Sequence, residues 1–158
     1  MTTVAENPFT ETQDDEYRAF LAQGEVRLQK CASCGHVRPP TSWCCPACLS
    51  ETWEWIRLSG KGVVETFVWY LRPLDQRFRE IPYNVALVQL EGGARVMGNV
   101  NGVALGDLYI GQTVEADICI GFQGRLALDF RPADQVESEL ARFSQGARHV
   151  RCPPTAAE

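Results

Sequence analysis

Four cysteines in two pairs, Cys31-x-x-Cys34 and Cys45-Pro-x-Cys48, constrain this chain more than any other feature. Ten residues separate the pairs, and a glycine, Gly35, follows the first. A Cys-x-x-Cys stretch closes into a tight knuckle with both sulfurs on one side, and two facing knuckles supply four thiolates in a tetrahedron. That is the shell of structural Zn²⁺, with Cys31, Cys34, Cys45 and Cys48 as the expected ligands. A shell closed by protein leaves no position for water or substrate, so the metal is expected to hold structure and do no chemistry. Cys44 and Cys45 are adjacent, and Cys45 is the expected ligand because it alone stands at knuckle spacing from Cys48. Cys44 is then a thiol beside the site. Four cysteines also hold iron in electron carriers, a reading that leaves the long region after Trp53 without a role.

At 158 residues the chain suits one ordinary domain, or a small module joined to a medium one. Hydrophobic residues at 45% and charged residues at 22% mark it as globular. No apolar run approaches the roughly 18 residues of a spanning helix, so no membrane is expected as partner. The opening MTTVAENPFTETQDDEY is acidic and lacks the basic and apolar regions of a signal peptide. A reducing cytoplasm is the expected compartment, where close cysteine spacing and an odd cysteine total of 7 favour metal over disulfides. Net charge is −5, and Lys30 and Lys61 are the only lysines. Such a chain lacks the basic field that draws proteins onto nucleic acid.

Along the chain, residues 1–27 read as a disordered lead and a short helix. Thr10 with Gln13 fits a capping box, and Asp14, Asp15 and Glu16 suit the positive end of a helix over residues 13–23. Tyr17, Phe20 and Leu21 share one stripe, and Gly24 stops the run. A helix this short needs something to dock on, either the chain's own core or another subunit. Glu25 to Lys30 alternates as a strand leading into the first knuckle, and the ribbon spans 28–53. Its middle, Arg38-Pro-Pro-Thr-Ser-Trp43, is stiffened by paired prolines into an extended path.

Residues 54–132 change to strands and turns. Trp53 to Leu58 is a strand candidate broken by Ser59-Gly-Lys-Gly62, and Val63 to Leu71 is a β-rich run. Asn84 to Leu90 and Ala94 to Val100 form a hairpin around Glu91-Gly-Gly93. Val114, Ala116, Ile118 and Ile120 are expected on one face of a strand, with Cys119 on its polar side, and Leu126, Leu128 and Phe130 on one face of the next. Five or six strands over about eighty residues, with glycine turns, suggest a small closed barrel of OB type rather than a sandwich. Residues 133–158 read as a short helix to Phe143 and a tail. The expected class is therefore mainly β: N-terminal helix, four-cysteine zinc ribbon, OB-type barrel and short C-terminal helix.

No catalytic constellation is visible. His36 lies in the zinc loop and His149 in the tail, neither placed to orient a nucleophile, and no phosphate loop or nucleophile elbow occurs. Nothing near Cys119 in sequence would lower its pKa.

The order of parts, however, resembles a family. A short helix leads to Cys31-x-x-Cys-Gly35, a Pro-Pro pair and Cys45-Pro-x-Cys48; a Trp-rich strand, Ser59-Gly-Lys-Gly62 and Ile81-Pro-Tyr83 follow, with closure at Phe130-Arg-Pro132. Over about residues 14 to 132 this is similar to proteins with a rubredoxin-like zinc ribbon and an OB-fold that accompany thiolase-like enzymes. Leu49 stands where that family often has glycine, and Cys44 is an additional thiol. The resemblance implies a non-catalytic accessory subunit of a thiolase, acyltransferase or steroid side-chain aldolase, in a heterotetramer or larger assembly. A hydratase can also join, with acyl-CoA passing between sites. Tyr17, Phe20 and Leu21 would then dock the partner. Arg72, Arg77 and Arg79, in the connection from Leu71 to Tyr83, would border a CoA channel, since arginine holds phosphates bidentately. The plainer account is a set of surface arginines paired with Asp75 and Glu80. The alternative function is a nucleic-acid module, with Phe67, Trp69 and Tyr70 as stacking platforms rather than barrel core.

Overall fold

The computed structural model describes residues 8–40, 42–73, 81–121 and 124–134. It divides into two compact units, Met1–Leu58 and Ser59–Glu158.

The first unit opens with helix α1 (Pro8–Ala22). Proline suits a first turn, where its missing N–H would find no acceptor anyway. The helix thus starts before Thr10, and Gln13 is no cap partner: it lies inside the helix with its side chain buried. Gly24, at φ 74°, ends the helix. Its N–H donates to the Leu21 carbonyl, and the Glu25 N–H to that of Phe20, both at 2.9 Å, which satisfies carbonyls the helix leaves open.

Strands β1 (Arg27–Cys31), β2 (Val37–Arg38) and β3 (Trp53–Arg57) form an antiparallel sheet in the order β2-β1-β3. The register sets Gln29 opposite Arg38 and Trp55, and Cys31 opposite Trp53. Because all of β3 pairs with β1, the backbone stays in this sheet until Leu58, whose N–H still bonds the Val26 carbonyl at 2.9 Å. The compact unit that contains the ribbon runs to Leu58. Alternation along β1 suggests one polar side, yet Leu28 and Gln29 are both fully buried. The reason is α1, which lies over the Gln29 side. Tyr17 stacks on Trp55 at 6.4 Å between centroids, Phe20 meets the same ring edge-on at 5.4 Å, and Leu21 is buried. Trp55 Nε1 donates to Glu16 Oε2 at 2.8 Å. The helix's apolar stripe thus meets the chain's own sheet.

The second unit is a five-stranded antiparallel sheet, order β6-β5-β4-β7-β8. Its strands are β4 (Lys61–Tyr70), β5 (Tyr83–Leu90), β6 (Arg95–Gly98), β7 (Thr113–Ile120) and β8 (Leu126–Pro132). The expected β5–β6 hairpin is present, closed by the Leu90 N–H to the Ala94 carbonyl at 2.8 Å. A bulge between Val64 and Thr66 adds the twist that rolling a sheet requires. The sheet rolls until its edges touch: Phe130 donates to Asn99 and accepts from Asn101, both at 2.8 Å through the backbone, beside a parallel Val100–Phe130 bridge. At Gly98 a Cβ would lie 2.7 Å from the Leu128 carbonyl oxygen, so glycine is what lets β6 and β8 approach. Val64, Ala86, Val88, Val100, Val114 and Phe130 fill the interior.

The face expected for β7 holds for Val114 but not at the far end. Ile120 is 60% exposed while Cys119 is 4% exposed, because the alternation loses phase across residues 115–118, all of them half-buried. Described residues end at Asp134, so the helix expected over 133–143 is seen only at Ala133 and Asp134, and the tail lies outside them. Among the described residues no helix is long and apolar enough to cross a membrane.

Candidate metal centre

The two Cys-x-x-Cys stretches fold into the same loop twice. In the first, the Cys31 N–H donates to the His36 carbonyl (2.9 Å) and the Gly35 N–H to the Cys31 carbonyl (3.0 Å). In the second, the Cys45 N–H donates to the Ser50 carbonyl (2.9 Å) and the Leu49 N–H to the Cys45 carbonyl (2.8 Å). Each loop needs a left-handed residue after its second cysteine, which is Gly35 at φ 75° and Leu49 at φ 61°. Hydroxyls tie the loops together: Ser33 Oγ donates to Ser50 Oγ at 2.9 Å, and Ser50 Oγ lies 3.0 Å from Thr52 Oγ1.

This folding brings the four expected ligands together. The Sγ atoms of Cys31, Cys34, Cys45 and Cys48 all lie within 4.8 Å of one another. Cys31 and Cys48 are 3.6 Å apart, as are Cys34 and Cys45. A tetrahedron of sulfurs about 2.3 Å from a central ion has edges of about 3.8 Å, so the cluster fits one ion, whereas a disulfide would need about 2.05 Å. Cys31 and Cys45 are buried and Cys34 and Cys48 exposed, so the ion would sit at the lip of the ribbon. Without metal the thiols are electrostatically uneven. The Cys34 backbone N–H, with help from that of Ser33, lowers Cys31 to about 6. The Ser50 N–H acts the same way on Cys48, but the neighbouring thiols of Cys34 and Cys31 outweigh it and push Cys48 up to about 12. Four soft sulfur ligands suit a thiophilic divalent ion. Cys44 stands outside the cluster, half-buried.

His36 is exposed and serves through its carbonyl. His149 lies outside the described residues, as do Arg77 and Arg79 with Asp75 and Glu80. Arg72 is exposed in the bend after β4. Phe67 and Trp69 are half-buried in β4, and Tyr70 stacks on Tyr83 at 4.8 Å. Cys119 has Asp117 Oδ2 at 3.2 Å and Asn101 Nδ2 at 3.6 Å from its sulfur.

One residue of the ribbon had no place in the sequence reading. Arg38, at the start of the Pro-Pro path, is 0% exposed. Its Nε donates to Gln29 Oε1 at 2.8 Å, and Gln29 Nε2 donates in turn to Gln13 Oε1 at 3.2 Å. Its guanidinium lies 5.3 Å from the Trp53 ring centroid. Only its position two residues past His36, on a strand too short to show a pattern, could have hinted at burial.

Comparison with known proteins adds to this geometry. Residues 18–54 match the family model described as the ChsH2 rubredoxin-like zinc ribbon domain, and residues 55–118 that of the ChsH2 C-terminal OB-fold domain. The chain is similar to a probable enoyl-CoA hydratase alpha subunit of Thermomonospora curvata, 37% identical over 60% of this chain and 30% of the relative. It is also similar to a DUF35 domain-containing scaffold protein of Methanocaldococcus jannaschii, 42% identical over 55% of this chain and 62% of the relative. The chain thus spans under a third of the first relative and under two thirds of the second. Among solved structures, a chain of an Ltp2-ChsH2(DUF35) aldolase superposes with a TM-score of 0.67 at 32% identity, covering 82% of this chain and 98% of that one.

Proposed function

The chain belongs to the family of ChsH2-type proteins that join a rubredoxin-like zinc ribbon to an OB-fold domain, and we propose that it is a non-catalytic accessory subunit of a thiolase-superfamily enzyme in acyl-CoA metabolism. The observation that carries this reading is the likeness, across nearly the whole of that neighbour, to a chain from an aldolase complex. The scaffold description of the archaeal relative supports a non-catalytic role, and the hydratase description of the actinobacterial one supports a hydratase as a further partner. The metal is Zn²⁺, held for structure by Cys31, Cys34, Cys45 and Cys48.

In this proposal the reactive groups belong to the partner, which is a thiolase, an acyltransferase or a carbon–carbon lyase of that fold. The complex is a heterotetramer or larger, in the cytoplasm. Tyr17, Phe20 and Leu21 contribute by seating α1 on its own sheet, which leaves the exposed Asp15 and Ala19 side of the helix to face the enzyme. Arg72, Arg77 and Arg79 border the acyl-CoA entrance and pair with its phosphates. Co-expression with thiolase-fold proteins encoded beside this chain, followed by size-exclusion chromatography, tests the assembly: a stable complex of fixed stoichiometry is expected. Replacing Arg72, Arg77 and Arg79 with Ala in that complex is expected to raise its Michaelis constant for a CoA ester. A complex that forms but shows an unchanged constant removes the channel role alone. A purified chain that turns over a thioester by itself overturns the accessory reading.

A further inference from the structure

Arg38 is a fully buried cation that the ribbon does not neutralise with an acid. Every other described lysine and arginine between residues 8 and 58 has a carboxylate partner: Arg18 with Asp14, Arg27 and Arg57 with Glu25, and Lys30 with Glu54. Arg38 has only the neutral Gln29 amide at Nε and the Trp53 ring beside it. Its Nη1 and Nη2 are buried with no hydrogen-bond partner among the described residues. Buried charges persist in proteins when something of opposite sign compensates them.

The register sets which residues share a side of the sheet with Arg38. Arg38 stands on β2 opposite Gln29, while Trp53 stands on β3 opposite Cys31, with β1 between. Gln29 and Cys31 are two residues apart on one side of β1, a step of about 6.8 Å along the strand. The Arg38 guanidinium, 5.3 Å from the Trp53 ring, thus reaches from β2 across β1 to the residue paired with Cys31. Four thiolates around a divalent ion sum to two negative charges, and two of those thiolates are buried.

We infer that Arg38 is the buried counter-charge of the tetrathiolate metal centre, a positioning residue that strengthens metal binding through the field it sets at Cys31 without touching the ion. The inference rests on the four-cysteine metal reading. It accounts for a cation with neutral neighbours, and for the amide chain from Gln13 through Gln29 that aims it.

The test uses the full chain, Co²⁺ as an optical probe and Zn²⁺ in competition with a chromophoric chelator. Arg38→Met is expected to weaken Zn²⁺ binding by about 10- to 100-fold, the usual effect of losing an outer partner of a ligand, and to shift the thiolate-to-cobalt charge-transfer band. Arg38→Lys, which keeps the charge and loses the planar fork, is expected to recover most of the affinity. If the methionine variant does not fold, Arg38→Gln takes its place, and the same gap between Lys and Gln is expected. Affinity within twofold of wild type in the Met or Gln variant, or a Lys variant no better than either, overturns the inference and leaves Arg38 a packing residue. A wild-type protein that takes up no cobalt overturns the metal reading together with it.

Discussion

Leu49 occupies in the second knuckle the place that Gly35 occupies in the first, at φ 61° against 75°, each donating its N–H back to the first cysteine of its loop. The backbone geometry is the same, but the side chain is not. A β-carbon in the left-handed region costs about 1–2 kcal/mol, while glycine returns about 0.5–1 of that through the entropy of the unfolded chain. Leu49 is 73% exposed, so little burial offsets the strain. Leu49→Gly is therefore expected to stabilise the metal-loaded protein by about 0.5–1 kcal/mol in denaturant melts. A loss of stability would show that Leu49 has packing that its exposure does not suggest.

The ligand assignment separates adjacent thiols. Cys31→Ser or Cys45→Ser is expected to abolish stoichiometric metal and unfold the ribbon, because binding and folding of such sites are one equilibrium. Cys44→Ser is expected to keep one metal per chain, since its sulfur lies outside the cluster. Native mass spectrometry reads both, and full occupancy in the first two variants would reassign the ligands.

Trp55 is the seat of α1, meeting Tyr17, Phe20 and Glu16 at once. Trp55→Ala is expected to cost about 2–3 kcal/mol, below the full range for a core tryptophan because the ring is half-buried. The same variant carries a pH signature. Burial, ahead of the smaller influences of Arg18 and Asp14, pushes the Tyr17 phenol from 10.0 up to about 12. The folded state thus holds its proton where the unfolded state has lost it, so stability present below pH 10 declines as pH rises through 12. Phenolate absorbance is expected to show a tyrosine titrating near 12 in the wild type and its return towards 10 in Trp55→Ala.

The seam between β6 and β8 gives a fourth expectation. Gly98→Ala puts a methyl 2.7 Å from the Leu128 carbonyl and 3.0 Å from the Phe130 ring. Both neighbours belong to the packed wall of the barrel, so relief requires the strands to part. A loss of about 1–3 kcal/mol is expected in thermal melts, with the ribbon's metal content unchanged.

How much of this was legible in the sequence depends on whether the signal was local. The four-cysteine cluster was, because two loops of fixed spacing carry all the geometry a tetrahedron needs. The hairpin of β5 and β6 was also legible, since Gly92 and Gly93 mark its turn. The helix start was misplaced at Thr10 because a cap and a buried polar side chain look alike in sequence, and Gln13 is the latter. Arg38 was missed for the same reason: an arginine is read as surface until a strand and a ring close over it. The burial of Cys119 beside an exposed Ile120 departs from the two-residue period on which the face of β7 was expected.

β1 is only five residues long, yet three attachments share it. Cys31 at its end belongs to the sulfur cluster, Gln29 in the middle takes up the amide of Gln13, and Arg27 at its start lies over the Phe20 ring at 4.4 Å. Helix and ion therefore hang from the same short rail. Withdrawing a bound ion would free one end of that rail, two residues from the side chain that holds the helix, with no relay in between.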